Sequence, residues 1–455
     1  MASDSGLLTT FLAAIQASLS VLLVVFYGVL TVRFKLLDNA TAKNISKLCV
    51  RLFLPALLFT QIGNELHAGS AHRYLIVLFW AFLCHFISFV IGITAYLLFN
   101  FPNWITVALM FNNTTSYPLL LIQSLDATGI LKGLAGADES TSDAIERAKS
   151  YFLVFSTVSS CLTFAVGPRL IDTEHAPEEP EDKDDEPEGE REGQGEEEDT
   201  GYQAGGSNGH ADEEEAVNEE TGLLQTRLKR GSVTSISFFP PKSRKALVVV
   251  NRHPFYISEG RWLKYHPRTR WWLLFINDFF NAPLLGAVLG TIVGLVPATH
   301  RAFFNDTSHG GIFTAWLSES IKNIGQIFVP LPLLVAGVSL YTASQQVGGK
   351  NIPWLTALFV LVVRFVLWPV ASIGAIYLLA SKTNILGNDP MLWFTMMLMP
   401  AGPPAMKLIT MVQVSDAGEE DEHMIAKILT ISYIVSPILA FTVAGGLSTS
   451  QAAVH

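Results

Sequence analysis

The residues best suited to binding chemistry lie where two long apolar stretches of the chain are interrupted. In residues 104–125 a polar run precedes Pro118. The run consists of Asn112, Asn113, Thr114, Thr115, Ser116 and Tyr117. In residues 391–414 the middle is rich in proline, and it consists of Pro400, Ala401, Gly402, Pro403 and Pro404. In hydrocarbon an unpaired backbone group costs several kcal/mol, so such runs are tolerated only where they line a protein or water cavity.

Two interrupted helices at corresponding places in a membrane protein are typical of a transport site, with half-helix N-termini directed at an anion. We expect the amides of Asn112 and Asn113 and the freed backbone of Ala401 and Gly402 to converge on one substrate carboxylate. Amide donors bind an anion without leaving a fixed charge in the empty site. Lys407 could meet the same carboxylate, or it could extend to the membrane surface or pair with an acid. The alternative for both breaks is a pair of structural proline kinks.

Ionisable residues within apolar stretches are candidates for ion or proton coupling, because a charge inside a membrane is energetically costly. Asp278 lies beside Asn277 and Asn281, and its carboxylate could bind a proton or pair with a cation. Asn281 is a further candidate for the same coupling. His85 could relay a proton, although a hydrogen-bonded core histidine is the commoner explanation. Arg364 occupies a place in the second half of the chain nearly equivalent to that of His85.

Composition indicates that these residues belong to an integral membrane protein. Half of the 455 residues are hydrophobic and only 15% are charged, and the mean hydropathy is +0.36. A membrane-spanning helix needs about 20 apolar residues. Ten stretches fit, at residues 8–32, 44–62, 74–99, 104–125, 150–170, 271–296, 320–345, 354–380, 391–414 and 424–446.

Other functional classes lack their signatures. No concentrated cationic domain exists outside one linker segment, so we expect no nucleic-acid partner. The sequence has no phosphate-binding loop, no GxSxG elbow, no HExxH pair and no Cys or His cluster, so we expect neither an enzyme nor a cofactor. Without a nucleotide site, transport would follow an electrochemical gradient, either as anion uniport or as proton-coupled exchange.

The ten stretches form two blocks of five around a charged segment. Residues 171–220 hold 22 Asp and Glu residues against only Lys183 and Arg191, and the following residues are basic. We predict a first five-span repeat at 1–170, a disordered cytosolic linker at 171–265, and a second repeat at 266–455.

Similar segments in the two blocks indicate an internal repeat. KLCVRLFLPALLF begins at Lys47 and KNIGQIFVPLPLL begins at Lys322, and the offset of 275 pairs Pro55 with Pro330. Chance similarity between apolar helices is the alternative. An odd number of spans per repeat inverts the second copy. Basic residues in the loop after span 1 and in the linker predict a cytosolic linker and a loop containing Asn305 on the opposite side.

The broken stretch before Pro118, the PAGPPAMKL segment from Pro400 to Leu408, and the long hydrophilic segment between the blocks resemble the auxin efflux carrier family. This family includes the plant PIN and PIN-LIKES proteins and their fungal relatives. The resemblance implies that the two broken helices cross near the middle of the membrane and bind a substrate carboxylate. It also implies that Asn112 and Asn113 lie where these two helices cross, and that spans 1, 2, 6 and 7 form a dimer contact. The Gly402-Pro403-Pro404 run is more similar to PIN-LIKES than to PIN proteins.

We therefore predict an all-α integral membrane protein with ten transmembrane helices in two inverted five-helix repeats, in which helices 4 and 9 are broken and cross. It would export or sequester a small organic anion, an auxin-like weak acid by resemblance, through alternating access. The expected partners are this anion, membrane lipid and a possible second copy of the chain. The resemblance to PIN-LIKES implies location in the endoplasmic reticulum membrane, with the plasma membrane as the alternative. The competing hypothesis is a membrane-anchored sensor or interaction protein that acts through its charged linker.

Overall fold

The computed structural model describes residues 2–67, 69–102, 104–136, 139–171, 267–345, 354–406, 408 and 419–453, together with Ile257 and Tyr265. The predicted linker at 171–265 therefore lies almost entirely outside the described residues, and Lys407 lies outside them as well. All described helices belong to one compact unit.

Helices form nearly all of the regular structure in the described part of the chain, where the one β feature is an isolated bridge. The first half contains α1 Ala2–Arg33, α2 Asn39–Leu48, α3 Leu54–Glu65, α4 Ala71–Phe99, α5 Trp104–Met110, α6 Ser116–Thr128 and α7 Thr141–Ile171. The second half contains α8 Pro267–Phe279, α9 Ala282–Leu295, α10 Pro297–Phe304, α11 Glu319–Gln326, α12 Leu331–Gln345, α13 Trp354–Val362, α14 Trp368–Lys382, α15 Pro390–Leu398, α16 Glu419–Val435 and α17 Leu439–Ala452.

Seven helical segments within these ranges are long and apolar enough to cross a membrane. They are Leu8–Arg33, Ala40–Glu65, Ala71–Phe99, Thr141–Gly167, Thr314–Thr342, Trp354–Lys382 and Met424–Ala452. Trp272–Phe279 and Ala282–Leu295 form a pair bent by 63°, which makes eight candidates if the pair is one span. These segments confirm an integral membrane protein and overlap eight of the ten predicted spans. The described residues of the other two predicted spans, 104–125 and 391–414, form shorter helices.

Prolines account for local irregularities within two of the long segments. A proline lacks an N–H donor and its ring collides with the carbonyl four residues earlier, so a regular helix cannot pass it undisturbed. The chain widens into a π-turn at Cys49–Phe53, just before Pro55, and again at Val363–Leu367, just before Pro369. The helix continues beyond each π-turn, so the segments still have membrane-spanning length.

Close packing of small residues joins helices from the two halves of the chain. Helix α1 packs on α12, and α9 packs on α3. A Cβ atom on Gly28 would overlap the carbonyl oxygen of Leu334, and one on Gly286 would lie 2.5 Å from that of Pro55. Small residues allow the backbones of membrane helices to approach closely, which strengthens their packing.

A second group of helices encloses the two short helices α5 and α15. Helix α4 packs on α5, α14 packs on α15, and α7 contacts both short helices. Of the long segments, Thr141–Gly167 is the most enclosed, with 83% of its most apolar window buried, compared with 33–56% in the others. The most protected part of the fold therefore surrounds the interrupted helices.

Candidate functional site

The two interrupted segments meet directly. Asn112 and Pro404 form an antiparallel β-bridge. The backbone N–H of Asn113 donates to the carbonyl of Pro403 at 2.9 Å, and that of Ala405 donates to the carbonyl of Phe111 at 2.9 Å. Buried backbone groups must be paired within the protein when no water is present. The two breaks satisfy part of each other's hydrogen bonding, and we call this junction the crossover.

The side chain of Asn112 links the two breaks through hydrogen bonds. Its amide nitrogen donates to the carbonyls of Met399 and Ala401 at 2.9 and 3.0 Å, and the residue is only 4% exposed. An amide group has two N–H donors, and both are used by carbonyls just after α15. In this conformation Asn112 holds the second break in place.

Asn113 makes a different set of contacts. Its amide nitrogen donates to the hydroxyl of Tyr433 at 2.8 Å, and its side-chain oxygen accepts from the N–H of Tyr117 at 3.4 Å. Asn113 is partly buried, unlike the fully buried Asn112. Tyr433, in α16, was not identified from sequence, although a tyrosine inside an apolar span is a recognisable signal for a hydrogen bond.

The other predicted residues of the site surround this junction. Thr114, Tyr117 and Pro118 are buried at the start of α6, where Pro118 lies in the first helical turn rather than within a kinked span. Its missing N–H is harmless there, because the first turn has no intrahelical acceptor for it. Gly402 has φ +117°, a conformation that a side chain would strain.

Arg364 and His85 lie beside the crossover. Arg364 is 1% exposed, and its guanidinium donates to the carbonyls of Pro400 and Ala108 at 3.2 and 3.3 Å. His85 Nδ1 donates to the carbonyl of Ala81 at 2.7 Å, while Nε2 has no partner among the described residues. These contacts fit a core histidine that is hydrogen-bonded on one side.

These two side chains and the crossover residues Asn112 and Pro400 line one narrow crevice, which is too tight to hold a water molecule. It is lined by Cys84, His85, Ser88, Met110, Asn112, Phe155, Arg364 and Pro400. The crevice therefore places His85 close to the crossover residues.

Asp278 and Asn281 lie at the bend between α8 and α9, and neither lines this crevice. Asp278 is buried in the last turn of α8. The side chain of Asn281 caps α9 by accepting from the N–H of Leu284 at 3.0 Å. Asn281 therefore has a structural role at the bend. No group of three or more metal-binding side chains occurs in the ranges that the structure covers.

A charged cluster at the start of α15 was not identified from sequence. Asp389 is 3% exposed and caps α15 by accepting from the N–H of Leu392 at 3.0 Å. It also pairs with Arg73 and Arg147, each at 3.3 Å, and accepts from the hydroxyl of Tyr151 at 3.2 Å. The Asp389-Pro390 pair is a common helix start, and that signal could have located the cap.

Comparison with known proteins places these features in a family. A family model described as membrane transport protein matches residues 13–443. An uncharacterized transporter of Schizosaccharomyces pombe is 26% identical over 450 residues, which cover 94% of each chain. An uncharacterized transporter of Saccharomyces cerevisiae is 22% identical over 460 residues, which cover 96% of this chain and 95% of the relative. Protein PIN-LIKES 7 of Arabidopsis thaliana is 27% identical over 146 residues, or 32% of this chain and 35% of that protein.

These matches confirm the resemblance on which the sequence analysis drew. They also indicate a transporter rather than an enzyme. The family model covers both blocks of spans, including the two segments that meet at the crossover. The chain belongs to the membrane transport protein family, which is the auxin efflux carrier family.

Proposed function

We propose that this protein is a secondary transporter of a small organic anion, an auxin-like weak acid by resemblance, that works by alternating access around the crossover. The observation that carries the proposal is the antiparallel pairing of the two broken segments, through the bridge between Asn112 and Pro404. Interrupted helices within a membrane protein are found where backbone groups serve a substrate. A pair of proline kinks that served packing alone would not require the two breaks to pair with each other.

The proposed architecture is ten spans in two inverted repeats, at 1–170 and 266–455. Helix packing supports it, because two pairs of helix contacts correspond when the halves are exchanged. Helix α1 packs on α12 as α9 packs on α3, and α16 packs on α12 as α7 packs on α3. Spans 3 to 5 and 8 to 10 would move with the substrate, while spans 1, 2, 6 and 7 would form the partner domain.

The proposed substrate site includes Asn113 and Tyr433. A substrate carboxylate would replace the Tyr433 hydroxyl as the acceptor for the Asn113 amide, and hydrogen bonds to a charged acceptor are stronger than bonds to a neutral one. The N-terminus of α6, which begins at Ser116, adds a favourable dipole for an anion. Thr114, Tyr117, Pro118, Ala401, Gly402 and Pro403 would form the surrounding wall, with Lys407 as a further candidate.

The remaining elements of the proposal concern coupling and location. His85 is the candidate for proton coupling, because its ring lines the crevice that Asn112 also lines. Asp278, at the bend between α8 and α9, is a second candidate for ion or proton coupling. Location in the endoplasmic reticulum membrane and a dimer contact through the partner domain rest on the family resemblance.

Uptake by the purified full chain in liposomes tests this function. We expect saturable uptake of at least one of indole-3-acetate, benzoate and succinate, compared with and without a pH gradient. Weak acids cross lipid in their neutral form, so protein-free liposomes measure the background. Faster uptake with an imposed pH gradient, after this correction, indicates proton coupling. Background-level uptake of all three acids by folded protein would contradict the proposal.

A further inference from the structure

Arg364 lies where the ends of two half-helices meet. Its two terminal nitrogens donate to the carbonyl of Ala108, in the last turn of α5, and to that of Pro400, just beyond the end of α15. The last carbonyls of a helix lack intrahelical partners and carry partial negative charge. Two such ends directed at one point form a favourable position for a cation, and in broken membrane helices such ends can coordinate a metal ion.

The charge of Arg364 needs this compensation. The residue is fully buried, and an isolated cation in a membrane protein is strongly destabilising. No acidic side chain forms an ion pair with Arg364 in the portion of the chain that is described. The carbonyl dipoles of the two helix ends therefore provide its stabilisation among these residues.

We propose that Arg364 is the resident cation of the crossover. Its guanidinium occupies the position that a Na⁺ or other metal cation would take between the two half-helices. The crossover then keeps its positive charge throughout the transport cycle and needs no metal ion there. Arg364 is a positioning residue, because it acts through the backbone of α5 and α15. The consequence for ion dependence rests on the proposed transport function, whereas the cation site itself does not.

Chemical rescue distinguishes a cation site from simple packing. Removing the side chain in Arg364→Ala leaves the two carbonyls facing a cavity that a free guanidinium ion fits. Arg51→Ala is a matched control, because Arg51 also lies in a π-turn just before a proline but is exposed. The full-length variants and the wild type would be purified, and their thermal unfolding followed with low millimolar guanidinium chloride, sodium chloride or choline chloride.

We expect guanidinium to raise the unfolding temperature of Arg364→Ala by a few degrees, because a ligand that binds only the folded state stabilises it. The wild type and Arg51→Ala should show no rise. If guanidinium affects Arg364→Ala no differently from the wild type, the inference is wrong.

A second pair of variants decides the question if Arg364→Ala does not fold. Arg364→Lys keeps the charge and Arg364→Met keeps most of the side-chain volume without it. We expect the lysine variant to unfold at the higher temperature, and equal unfolding temperatures would overturn the inference.

Transport separates this inference from the proposed function. Wild-type uptake of indole-3-acetate, benzoate or succinate should be unchanged when choline replaces Na⁺. Uptake that requires Na⁺ would overturn the inference and leave the carrier function intact. If none of the acids is taken up, the proposed function fails, and the unfolding measurements still decide whether Arg364 fills a cation site.

Discussion

Asn112 and Asn113 are adjacent in sequence, but their side chains contribute differently to the crossover. Both amide hydrogens of Asn112 are used by carbonyls of the opposite break. Asn113 donates to Tyr433, a hydroxyl that can itself turn to other partners. An anion can therefore reach Asn113 by exchanging one contact, whereas binding to Asn112 would require part of the crossover to open. We infer that Asn113 is the main binding residue and Asn112 the main structural one.

Alanine variants should separate these two roles. Asn113→Ala should lose about 1.5 to 3 kcal/mol of substrate binding, or roughly a tenfold to hundredfold loss in affinity, with little change in unfolding temperature. Asn112→Ala should destabilise the fold by about 1 to 3 kcal/mol, because two buried carbonyls lose their donors. Ligand affinity and thermal unfolding of the solubilised protein would both be measured. Asn384→Ala, at an exposed loop position, is the control.

Two results would contradict this assignment. Normal affinity in Asn113→Ala would place the anion elsewhere. Unchanged stability in Asn112→Ala would show that its hydrogen bonds to Met399 and Ala401 contribute little.

At the scale of the helix, apolar length and proline positions predicted more than the finer geometry. The polar run before Pro118 correctly marked an interruption, which separates α5 from α6. The bend at Asn281 was missed, although an asparagine two residues before Pro283 is a recognisable helix start. The π-turns could not be predicted, because a proline can produce a kink, a π-turn or a helix start depending on its neighbours. Local sequence locates such a break without specifying its geometry.

The contact between α1 and α12 should be sensitive to a single methyl group. A Cβ atom on Gly337 would overlap the carbonyl oxygen of Val25, so Gly337→Ala must push the helices apart. We expect it to destabilise the fold by about 1 to 3 kcal/mol, the usual cost of overpacking. Gly374→Ala makes the same change in α14, where a Cβ would have nothing within 4 Å, and should cost nothing measurable. Thermal unfolding of the two variants tests this, and equal stability would show that α1 can move away from α12 without penalty.

The cluster around Asp389 connects the starts of three helices. Asp389→Asn should keep the helix cap, because asparagine is an equally good N-cap, but it removes the charge that faces Arg73 and Arg147. We expect a loss of about 1 to 3 kcal/mol in stability, smaller than for a fully enclosed pair because the Arg73 side chain is 35% exposed. Glu139→Gln, which removes the more exposed partner of Arg147, should cost less. Unfolding temperatures compared at low and high salt would measure both, and a larger loss in Glu139→Gln would contradict this ranking.

At the scale of the whole molecule, the site depends on contacts between residues far apart in sequence. Asn113 and Tyr433 are separated by 320 positions, and Arg364 and Ala108 by 256. Both breaks could be located from the sequence, because each carries a local signal in its polar or proline residues. The contacts of Asn113 with Tyr433 and of Arg364 with two helix ends could not be predicted, since they arise only when the two halves pack together.

The orientation of the two halves in the membrane gives the last prediction. Lysine and arginine in short loops favour the cytosolic side, which places the basic residues after α1 there and the loop between α10 and α11 on the opposite side. That loop contains Asn305-Asp306-Thr307, a glycosylation acceptor. Asn305 is partly buried at the end of α10, while Asp306 and Thr307 are exposed. In a eukaryotic expression host, we expect a glycosidase-sensitive mass shift that disappears in Asn305→Gln. Asn39→Gln is the matched control, because Asn39-Ala40-Thr41 lies on the predicted cytosolic side and should remain unmodified. A shift that persists in Asn305→Gln and disappears in Asn39→Gln would reverse the orientation, and with it the side on which the substrate is released.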